Sequence, residues 1–296
     1  MKILLTGKDG QLGFALHKKL ASIGEVIATN RNELNLENSD AIRIFVEKIK
    51  PDMIINAAGY TDVDKAETEI ELAYKVNTEA PKVLAKKASQ LNIPMIHFST
   101  DYVFDGLKNE PYIETDQANP QLVYGQTKWE GEEAVRQHNK HIILRTSWVF
   151  GSHGQNFLKT ILKLIQEKSS LNIVSNQKGK PTSADAIANV TFKIVETILN
   201  NPNFKDFGTY HVALEGETNW YQYACFINDE AMRLGLKTTM TSQDIKPISS
   251  DQHSTVAKRP MNSRLNTKKI KKIFMLELPR WKLEVAAVLK NVLIQI

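Results

Sequence analysis

TGKDGQLG, residues 6–13, places three glycines three residues apart near the start of a 296-residue chain. It follows an apolar run, KILL at residues 2–5, of the kind that forms a buried parallel strand. A helical pattern comes next, with Leu12, Leu16 and Leu20 on one stripe. Between a strand and a helix, such glycines permit a tight turn, close backbone approach to a pyrophosphate and close packing of the helix against the strand. The stretch therefore predicts a dinucleotide bound with its pyrophosphate at the helix N-terminus.

The same alternation of strand and helix continues to about residue 150. Apolar runs predict four further strands, at residues 25–29, 52–59, 94–100 and 141–151. Helical patterns lie between them, at residues 11–24, 39–50, 70–92 and 124–137, the second with Ser39 as its cap. This order predicts an α/β fold, a Rossmann-like doubly wound parallel sheet with helices on both faces. In such sheets ligands bind at the carboxyl ends of the strands.

Beyond residue 150 the alternation loosens, which predicts a smaller mixed α/β C-terminal lobe. We expect residues 1–150 to form the dinucleotide-binding domain, with a segment near 184–214 returning to it, and residues 151–296 to form mainly the substrate-binding lobe. Helices are predicted at residues 156–167, 183–201, 220–234 and 281–293. A cleft between the two parts is the expected place for a substrate.

Composition limits the class of protein. Hydrophobic residues make up 42% of the chain and charged residues 24%, without the ~20 consecutive apolar residues of a membrane span. The single cysteine, Cys225, excludes an internal disulfide, and we predict a cytoplasmic protein. The net charge of +5 is densest in KKIKKIF, residues 268–274, where Ile270 and Ile273 interrupt the lysines. We interpret that run as a solvated helix face with one buried stripe, and we expect no nucleic-acid or membrane partner.

The residues after the second predicted strand bear on the choice of cofactor. An acidic residue there would bind the free ribose hydroxyls of NADH, but this chain has Asn30 and Arg31. An amide can bond to a ribose hydroxyl, and a guanidinium can pair with the 2′-phosphate of NADPH. We therefore expect NADPH to be the preferred cofactor, with NADH still usable.

With a dinucleotide site predicted nearby, Tyr124 and Lys128 become candidates for proton transfer. They lie four residues apart on a predicted helix and share a face. A phenol has a pKa of about 10, and a nearby ammonium favours the phenolate and lowers that pKa. The pair is suited to proton exchange with a carbonyl or alcohol beside a nicotinamide. FSTDYVF, residues 98–104, ends the fourth strand and offers Thr100 as a third hydroxyl. Thr100, Tyr124 and Lys128 together indicate such a proton-transfer site more specifically than any two of them do.

Seven stretches occur in the order of one known family and run from residue 1 to about residue 282. They are TGKDGQLG, NAAGYTDVDKAE, STDYVFDG, YGQTKWEGE, RTSWVFG, GKPTSA and KRPMNSRL. Together they resemble the dTDP-4-dehydrorhamnose reductases, a family of extended short-chain dehydrogenases/reductases. The resemblance implies NAD(P)H-dependent reduction of the 4-keto group of dTDP-4-dehydro-6-deoxy-L-mannose to dTDP-L-rhamnose, the last step of dTDP-rhamnose biosynthesis.

The resemblance also implies roles for individual residues. Tyr124 would donate the proton, Lys128 would lower its pKa and hold the nicotinamide ribose, and Thr100 would tune the proton transfer. Asp101 and Trp148, together with Thr100, would contact the sugar nucleotide. The residues expected at the cofactor, besides Tyr124 and Lys128, are Gly7, Gly10, Gln11, Leu12, Gly13, Asn30, Arg31, Asn35, Leu36, Gly59, Tyr60, Thr61 and Phe98.

Arg259, in KRPMNS, is expected to face the anionic diphosphate of the substrate, because arginine suits bidentate phosphate binding. Each substrate residue also has a structural interpretation, with Trp148 as a core aromatic, Asp101 as a turn cap and Arg259 as a surface charge. The position of Asp101 and Trp148 at the ends of predicted strands favours function.

Members of this family that dimerise around magnesium carry a glutamate two residues after the last glycine of the loop, where this chain has Ala15. Asp185 offers one carboxylate on a later helix, but a hard cation needs several oxygen ligands. We therefore expect no metal site, and a monomer or a weak homodimer. Elemental analysis of the purified protein should find no stoichiometric magnesium, and a bound ion at that level would contradict the prediction.

Two other functions fit parts of the pattern. A sugar-nucleotide epimerase or dehydratase would cycle its bound cofactor internally, although a dehydratase needs a glutamate where this chain has Tyr102. A non-catalytic dinucleotide-binding subunit, like the regulatory subunit of methionine adenosyltransferase, would dock on an enzyme and would not need Thr100, Tyr124 and Lys128. Net consumption of reduced cofactor separates the reductase from both alternatives.

Overall fold

Strands and helices alternate through the first half of the chain, in a computed structural model that describes residues 1–253 and 255–294. The elements are β1 (Lys2–Thr6), α1 (Gln11–Leu20), β2 (Glu25–Thr29), α2 (Ser39–Ile49), β3 (Met53–Asn56), α3 (Val63–Ala66), α4 (Ile70–Tyr74), α5 (Ala80–Leu91), β4 (Met95–Thr100), α6 (Val123–Arg136) and β5 (His141–Thr146). A π-helical turn, Lys75–Glu79, joins α4 to α5, and a 3-10 turn, Asp101–Val103, follows β4.

The second half has shorter strands between longer helices. Its elements are β6 (Val149–Phe150), α7 (Phe157–Glu167), β7 (Leu171–Val174), β8 (Lys178–Gly179), β9 (Thr182–Ser183), α8 (Ala184–Asn200), β10 (Gly208–Val212), β11 (Thr218–Asn219), α9 (Trp220–Arg233), β12 (Ile245–Ile248), α10 (Lys268–Phe274) and α11 (Trp281–Ile294). Two 3-10 turns flank β12, at Ser242–Asp244 and Ser250–Gln252. Within the described residues, no helix combines the length and the apolar character that crossing a membrane requires.

Six strands form one parallel sheet in the order β10-β5-β4-β3-β1-β2. The chain places β2 on one side of β1 and then places β3, β4 and β5 in turn on the other side. The direction in which strands are added therefore reverses between β1 and β3. A reversal of this kind leaves a crevice at the carboxyl ends of the strands. The predicted doubly wound α/β fold is confirmed, and β10, from the second half of the chain, forms one edge of its sheet.

Both faces of the sheet are covered, which explains the unbroken apolar runs in its strands. Successive residues of β1 point to opposite faces, so that Leu4 packs with α2, α5 and α6 whereas Ile3 and Leu5 pack with α1, α8 and α10. The second face draws its core from distant parts of the chain, including Phe274 and Leu278. The predicted helix over KKIKKIF is confirmed as α10.

The C-terminal lobe has a core of its own, built mainly by α7, α9 and α11. The buried residues of α7 follow the helical period, at Leu158, Ile161, Leu162 and Ile165. Three pairs of short strands join the lobe together: β7 with β12, β8 with β11, and β6 with β9.

Two local predictions were wrong. The run at residues 141–151 is not a single strand, because Trp148 has a φ of 48° in the left-handed region and turns the chain out of the sheet after β5. The cap of α2 is Asn38 rather than Ser39. The Asn38 side chain accepts hydrogen bonds from the backbone N–H groups of Asp40 and Ala41, which makes Ser39 the first helical residue.

Candidate functional site

A cleft of about 1010 Å³ opens at the carboxyl ends of β1 to β5 and extends to the C-terminal lobe. It gathers nearly all of the residues singled out from the sequence. Those that line it are Gly7, Gly10, Gln11, Leu12, Asn30, Arg31, Asn35, Leu36, Gly59, Tyr60, Thr61, Phe98, Thr100, Asp101, Tyr124, Lys128, Trp148 and Arg259. Gly13 is absent from the lining and lies behind the glycine loop.

The glycine loop has the geometry that a pyrophosphate requires. Gly7 has a φ of 80°, and its N–H donates to the carbonyl of Thr29 at 2.8 Å, which folds the loop back over β2. A Cβ on Gly13 would lie 1.9 Å from the Gly7 carbonyl oxygen, so only glycine permits α1 to start this close to the strand. Gly10 caps α1 without any side-chain hydrogen bond, so no cap occupies the first N–H groups of α1. These residues fit a dinucleotide.

The end of the cleft beyond β2 is polar and exposed. The Asn30 side-chain oxygen accepts hydrogen bonds from the N–H groups of Asn32 and Glu33 and fixes the turn after β2. Arg31 pairs with Glu37, and its side chain is 72% exposed at the rim. The Asn35 side-chain oxygen accepts from the N–H of Glu37 at 3.0 Å. An exposed guanidinium is therefore present where the sequence predicts contact with a 2′-phosphate.

A buried asparagine that the sequence analysis did not identify organises the middle of the cleft. Asn77 lies in the π-helical turn, and its Oδ1 accepts from the Tyr60 N–H at 2.8 Å. Its Nδ2 donates to the Tyr60 carbonyl at 3.0 Å and to Thr127 Oγ1 at 3.1 Å. Asn77 thereby ties the loop after β3 to the helix α6 that carries Tyr124.

Helix α6 is held at its first turn by a carboxylate from another element. Its N-terminal cap, Leu122, has no side-chain hydrogen bond to offer, and Glu67 Oε1 instead accepts from the Val123 N–H at 2.9 Å. This contact fixes the start of the helix one residue before Tyr124.

Thr100, Tyr124 and Lys128 meet in the floor of the cleft. Burial raises the pKa of Tyr124 to about 12, and a hydrogen-bonding interaction with Thr100 lowers it only in part. Burial also lowers the pKa of Lys128 to about 8, against the opposing effect of Glu132. The Lys128 ammonium donates to the carbonyl of Phe98 at 2.6 Å.

The expected lowering of the phenol pKa is absent from this structure. Its physical reason is that burial dominates at Tyr124, while the Lys128 ammonium is bonded to the Phe98 carbonyl. A raised pKa keeps the phenol protonated at neutral pH. That is the form required of a group that donates a proton to a carbonyl.

Asp101 is buried beside Thr100, whose hydroxyl donates to Asp101 Oδ1 at 3.2 Å. Burial raises the pKa of Asp101 to about 7, and hydrogen bonds with Ser263 and Thr100 act against that rise. Asp101 is the first residue of the 3-10 turn after β4, but the cap of that turn is Thr100, whose hydroxyl oxygen accepts from the Tyr102 N–H, so the cap role considered for Asp101 is not present. A carboxyl group with this pKa can serve as a donor or an acceptor toward a sugar hydroxyl.

Trp148 is held in its left-handed conformation by two neighbours. Its ring stacks on Trp220, with the ring centroids 3.5 Å apart and an interplanar angle of 13°. On Gly179, a Cβ would lie 2.3 Å from the Trp148 ring, so no other residue fits there. Trp148 and Trp220 both line the cleft and give it a flat apolar wall.

Arg259 lines the cleft but is not a free surface charge. Its Nη2 donates to Asp64 Oδ2 at 2.6 Å, and the side chains are 27% and 37% exposed, respectively. This partner could not be inferred from local sequence, because 195 positions separate the two residues. The predicted contact of Arg259 with a diphosphate stays a prediction.

Across residues 1–253 and 255–294, no three or more His, Cys, Asp and Glu side chains are grouped so that they could hold an ion. Ala15 is buried in α1 and Asp185 lies in the first turn of α8.

Comparisons with known proteins agree on one family. The family model described as the RmlD substrate binding domain matches residues 1–294. The chain is 41% identical to the dTDP-4-dehydrorhamnose reductase of Salmonella typhimurium over 294 residues, which cover 98% of this chain and 97% of that protein. A dTDP-4-dehydrorhamnose reductase structure from Clostridium acetobutylicum has a TM-score of 0.89 at 36% identity, with 100% of both chains covered.

A second solved structure adds a ligand. The dTDP-4-dehydrorhamnose reductase of Bacillus anthracis, in complex with NADP, has a TM-score of 0.88 at 30% identity and covers 100% of this chain and 99% of that one. The family match, the sequence identity and the shared fold each extend over nearly the whole length of this chain. The chain therefore belongs to the RmlD substrate binding domain family.

Proposed function

We propose that this protein is an NADPH-dependent dTDP-4-dehydrorhamnose reductase. It reduces the 4-keto group of dTDP-4-dehydro-6-deoxy-L-mannose and releases dTDP-L-rhamnose, the last step of dTDP-rhamnose biosynthesis. The observation that carries the proposal is the meeting of Thr100, Tyr124 and Lys128 in the same cleft as a glycine loop built for a pyrophosphate. The bound dinucleotide supplies the hydride.

The protein's own groups supply the proton and the orientation of the carbonyl. Tyr124 holds its proton at neutral pH and gives it to the developing alkoxide, and Thr100 orients the phenol. Lys128 lies beside Gly59, where a Cβ would be 3.9 Å from its Nζ, and it would hold the ribose of a bound dinucleotide. Thr100 and Lys128 are buried and Tyr124 is half-buried, which limits the access of water to the reacting carbonyl.

The lobe across the cleft recognises the rest of the substrate. Trp148 and Trp220 form an apolar wall for the sugar ring, and Asp101 bonds to a sugar hydroxyl. Arg259 receives the diphosphate. We propose the division of labour expected from the sequence, in which residues 1–150, with the segment near 184–214, bind the dinucleotide and the remainder binds mainly the sugar nucleotide.

We further propose that the protein acts in the cytoplasm on its dTDP-sugar without a nucleic-acid or membrane partner. Its oligomeric state, a monomer or a weak homodimer, stays a prediction that sedimentation of the purified protein tests.

Arg31→Ala should weaken NADPH use selectively. The exposed guanidinium pairs with the 2′-phosphate, and exposed ion pairs contribute up to about 1 kcal/mol, so the KM for NADPH should rise about fivefold. The KM for NADH should not change, since NADH lacks that phosphate. Arg43→Ala is the matched control, because Arg43 forms an exposed pair with Asp40 outside the cleft. Equal changes for both cofactors would argue against the assignment of Arg31.

The proposed activity is tested by mixing the purified protein with NADPH and dTDP-4-dehydrorhamnose. Loss of reduced-nicotinamide absorbance, with stoichiometric formation of dTDP-L-rhamnose on an anion-exchange column, is the expected result. Conversion of the sugar without net loss of NADPH would favour an epimerase or dehydratase. Binding of NADPH without any conversion would favour a non-catalytic dinucleotide-binding subunit.

A further inference from the structure

We propose that Asp64 is a positioning residue for sugar-nucleotide binding, which holds the guanidinium of Arg259 at the cleft so that it meets the diphosphate. This inference rests on the proposed function, because it takes the ligand to be a sugar linked to a nucleoside diphosphate. Neither the family match nor the sequence pattern assigns a role to Asp64.

The Asp64 carboxylate binds both the side chain and the backbone of the same segment. Arg259 Nη2 donates to Oδ2 at 2.6 Å, and Nη1 approaches Oδ1 at 3.4 Å. The backbone N–H of Ala257 donates to Oδ1 at 3.0 Å, and Arg259 Nη1 also donates to the Ala257 carbonyl at 3.1 Å. The hydrogen bond from Arg259 holds the pKa of the Asp64 carboxyl below its usual value. The carboxylate is therefore charged at neutral pH and sets where the guanidinium lies.

The segment 255–261, here called the strap, is fixed at a second point. Pro260 packs against Gly106, where a Cβ would lie only 2.5 Å from the proline Cβ, and Gly106 has a φ of 77°. Just beyond the strap, Asn262 Nδ2 donates to the carbonyls of Lys108 and Glu110, at 2.6 and 2.9 Å. The contacts of Pro260 and Asn262 hold this end of the strap in place. The pairing with Asp64 then determines whether the Arg259 guanidinium lies over the cleft or in solvent.

The pair leaves Arg259 able to bind an anion. A guanidinium has five N–H groups, and three contacts join Arg259 to Asp64 and Ala257. The remaining donors can bond to phosphate oxygens, since the side chain is still 27% exposed in the cleft. Holding a long side chain in place before binding removes part of the entropic cost of ordering it in the complex. Asp64 therefore assists an anionic ligand even though its own charge is negative.

A double-variant cycle tests the proposal. The Kd for dTDP is measured by calorimetry on wild type, Asp64→Asn, Arg259→Gln and the double variant. Arg259→Gln should raise Kd by about ten- to a hundredfold, through loss of charge-assisted hydrogen bonds. Asp64→Asn should raise it about two- to tenfold, through loss of pre-ordering. Once Arg259 is gone, Asp64→Asn should have no further effect.

Steady-state kinetics distinguish the proposed positioning role from a merely structural one, because a loss of folded protein would not raise the KM for the sugar nucleotide alone. Asp64→Asn should raise the KM for the sugar nucleotide while leaving kcat and the KM for NADPH unchanged. Asp40→Asn, which removes the acidic partner of the exposed pair with Arg43 in the same domain but outside the cleft, is the matched control and should change neither KM. Arg259→Lys, which keeps the charge but loses the planar fork, provides a second cycle with Asp64→Asn.

Three results would overturn the proposal. A lower Kd in Asp64→Asn would mean that Asp64 competes with the diphosphate for Arg259. Additive effects in the double variant would mean that Asp64 acts independently of Arg259, and an unchanged Kd would mean that it does nothing for the ligand. If wild type binds dTDP but oxidises no NADPH with dTDP-4-dehydrorhamnose, the proposed reductase fails while the dTDP cycle still decides the role of Asp64.

Discussion

Tyr124→Phe is expected to lower the kcat of sugar reduction by about 10²–10⁴-fold, the usual contribution of a positioned general acid. The variant removes one oxygen from a half-buried ring that packs edge-on against Tyr102, so packing in the cleft should be preserved. NADPH should bind as it does to wild type. The measurement is loss of reduced-nicotinamide absorbance for kcat, paired with fluorescence titration for NADPH binding.

Tyr74→Phe provides the matched control. Its hydroxyl donates to Glu130 of the same helix α6, but it lies outside the cleft, so removing it should leave kcat close to the wild-type value. A Tyr124→Phe variant with near-wild-type turnover would remove Tyr124 as the acid. Loss of NADPH binding in that variant would instead assign Tyr124 to cofactor binding alone.

Arg145→Met is expected to destabilise the fold by about 3–5 kcal/mol, because it leaves a buried carboxylate without its main partner. Arg145 is 1% exposed, and its Nε and Nη2 donate to the fully buried Glu132 at 2.9 and 2.7 Å. Arg136 contacts the same carboxylate at 2.8 Å but from a more exposed position, and it can replace only part of the interaction. Urea denaturation followed by circular dichroism measures the loss.

Removing both charges should cost much less than removing one. The double variant Glu132→Leu with Arg145→Met places apolar groups in the same space, and buried pairs replaced in this way often lose little stability. Glu133→Gln, which affects only the exposed pair with Arg136, should shift stability by no more than about 1 kcal/mol. A double variant as unstable as Arg145→Met would show that packing, not the unpaired charge, sets the cost.

The fold was predictable because its signals are local. Apolar runs, glycine spacing and helical periods each depend on neighbours in sequence, and they predicted β2 with the observed bounds and helical character for α10. The break at Trp148 was not predictable, since its left-handed backbone is stabilised by Trp220 and Gly179 from other parts of the chain. The cap of α2 was missed because Asn38 and Ser39 are both good capping residues.

The candidate site, like the fold, has features that were predictable from the sequence and features that were not. Motif spacing identified Thr100, Tyr124 and Lys128, but the raised pKa of the phenol depends on burial that spacing does not reveal. Asn77 escaped notice because a π-helical turn has almost the same sequence signature as the α-helices around it. Asp64 could be linked to Arg259 only once the chain had folded.

The core beneath α1 has a consequence for synthesis on the ribosome. Ile3 and Leu5 share that core with residues as late as Phe274 and Leu278, so the face is closed only when almost the entire polypeptide has emerged. A nascent chain that has reached β5 holds five of the six sheet strands, yet α1 alone covers one side of that sheet until α8 and α10 follow. Apolar surface exposed for so long is a target for aggregation and for chaperones. The layer that packs on this face of β1 is therefore the last to be completed during synthesis, although β1 is the first strand to leave the ribosome.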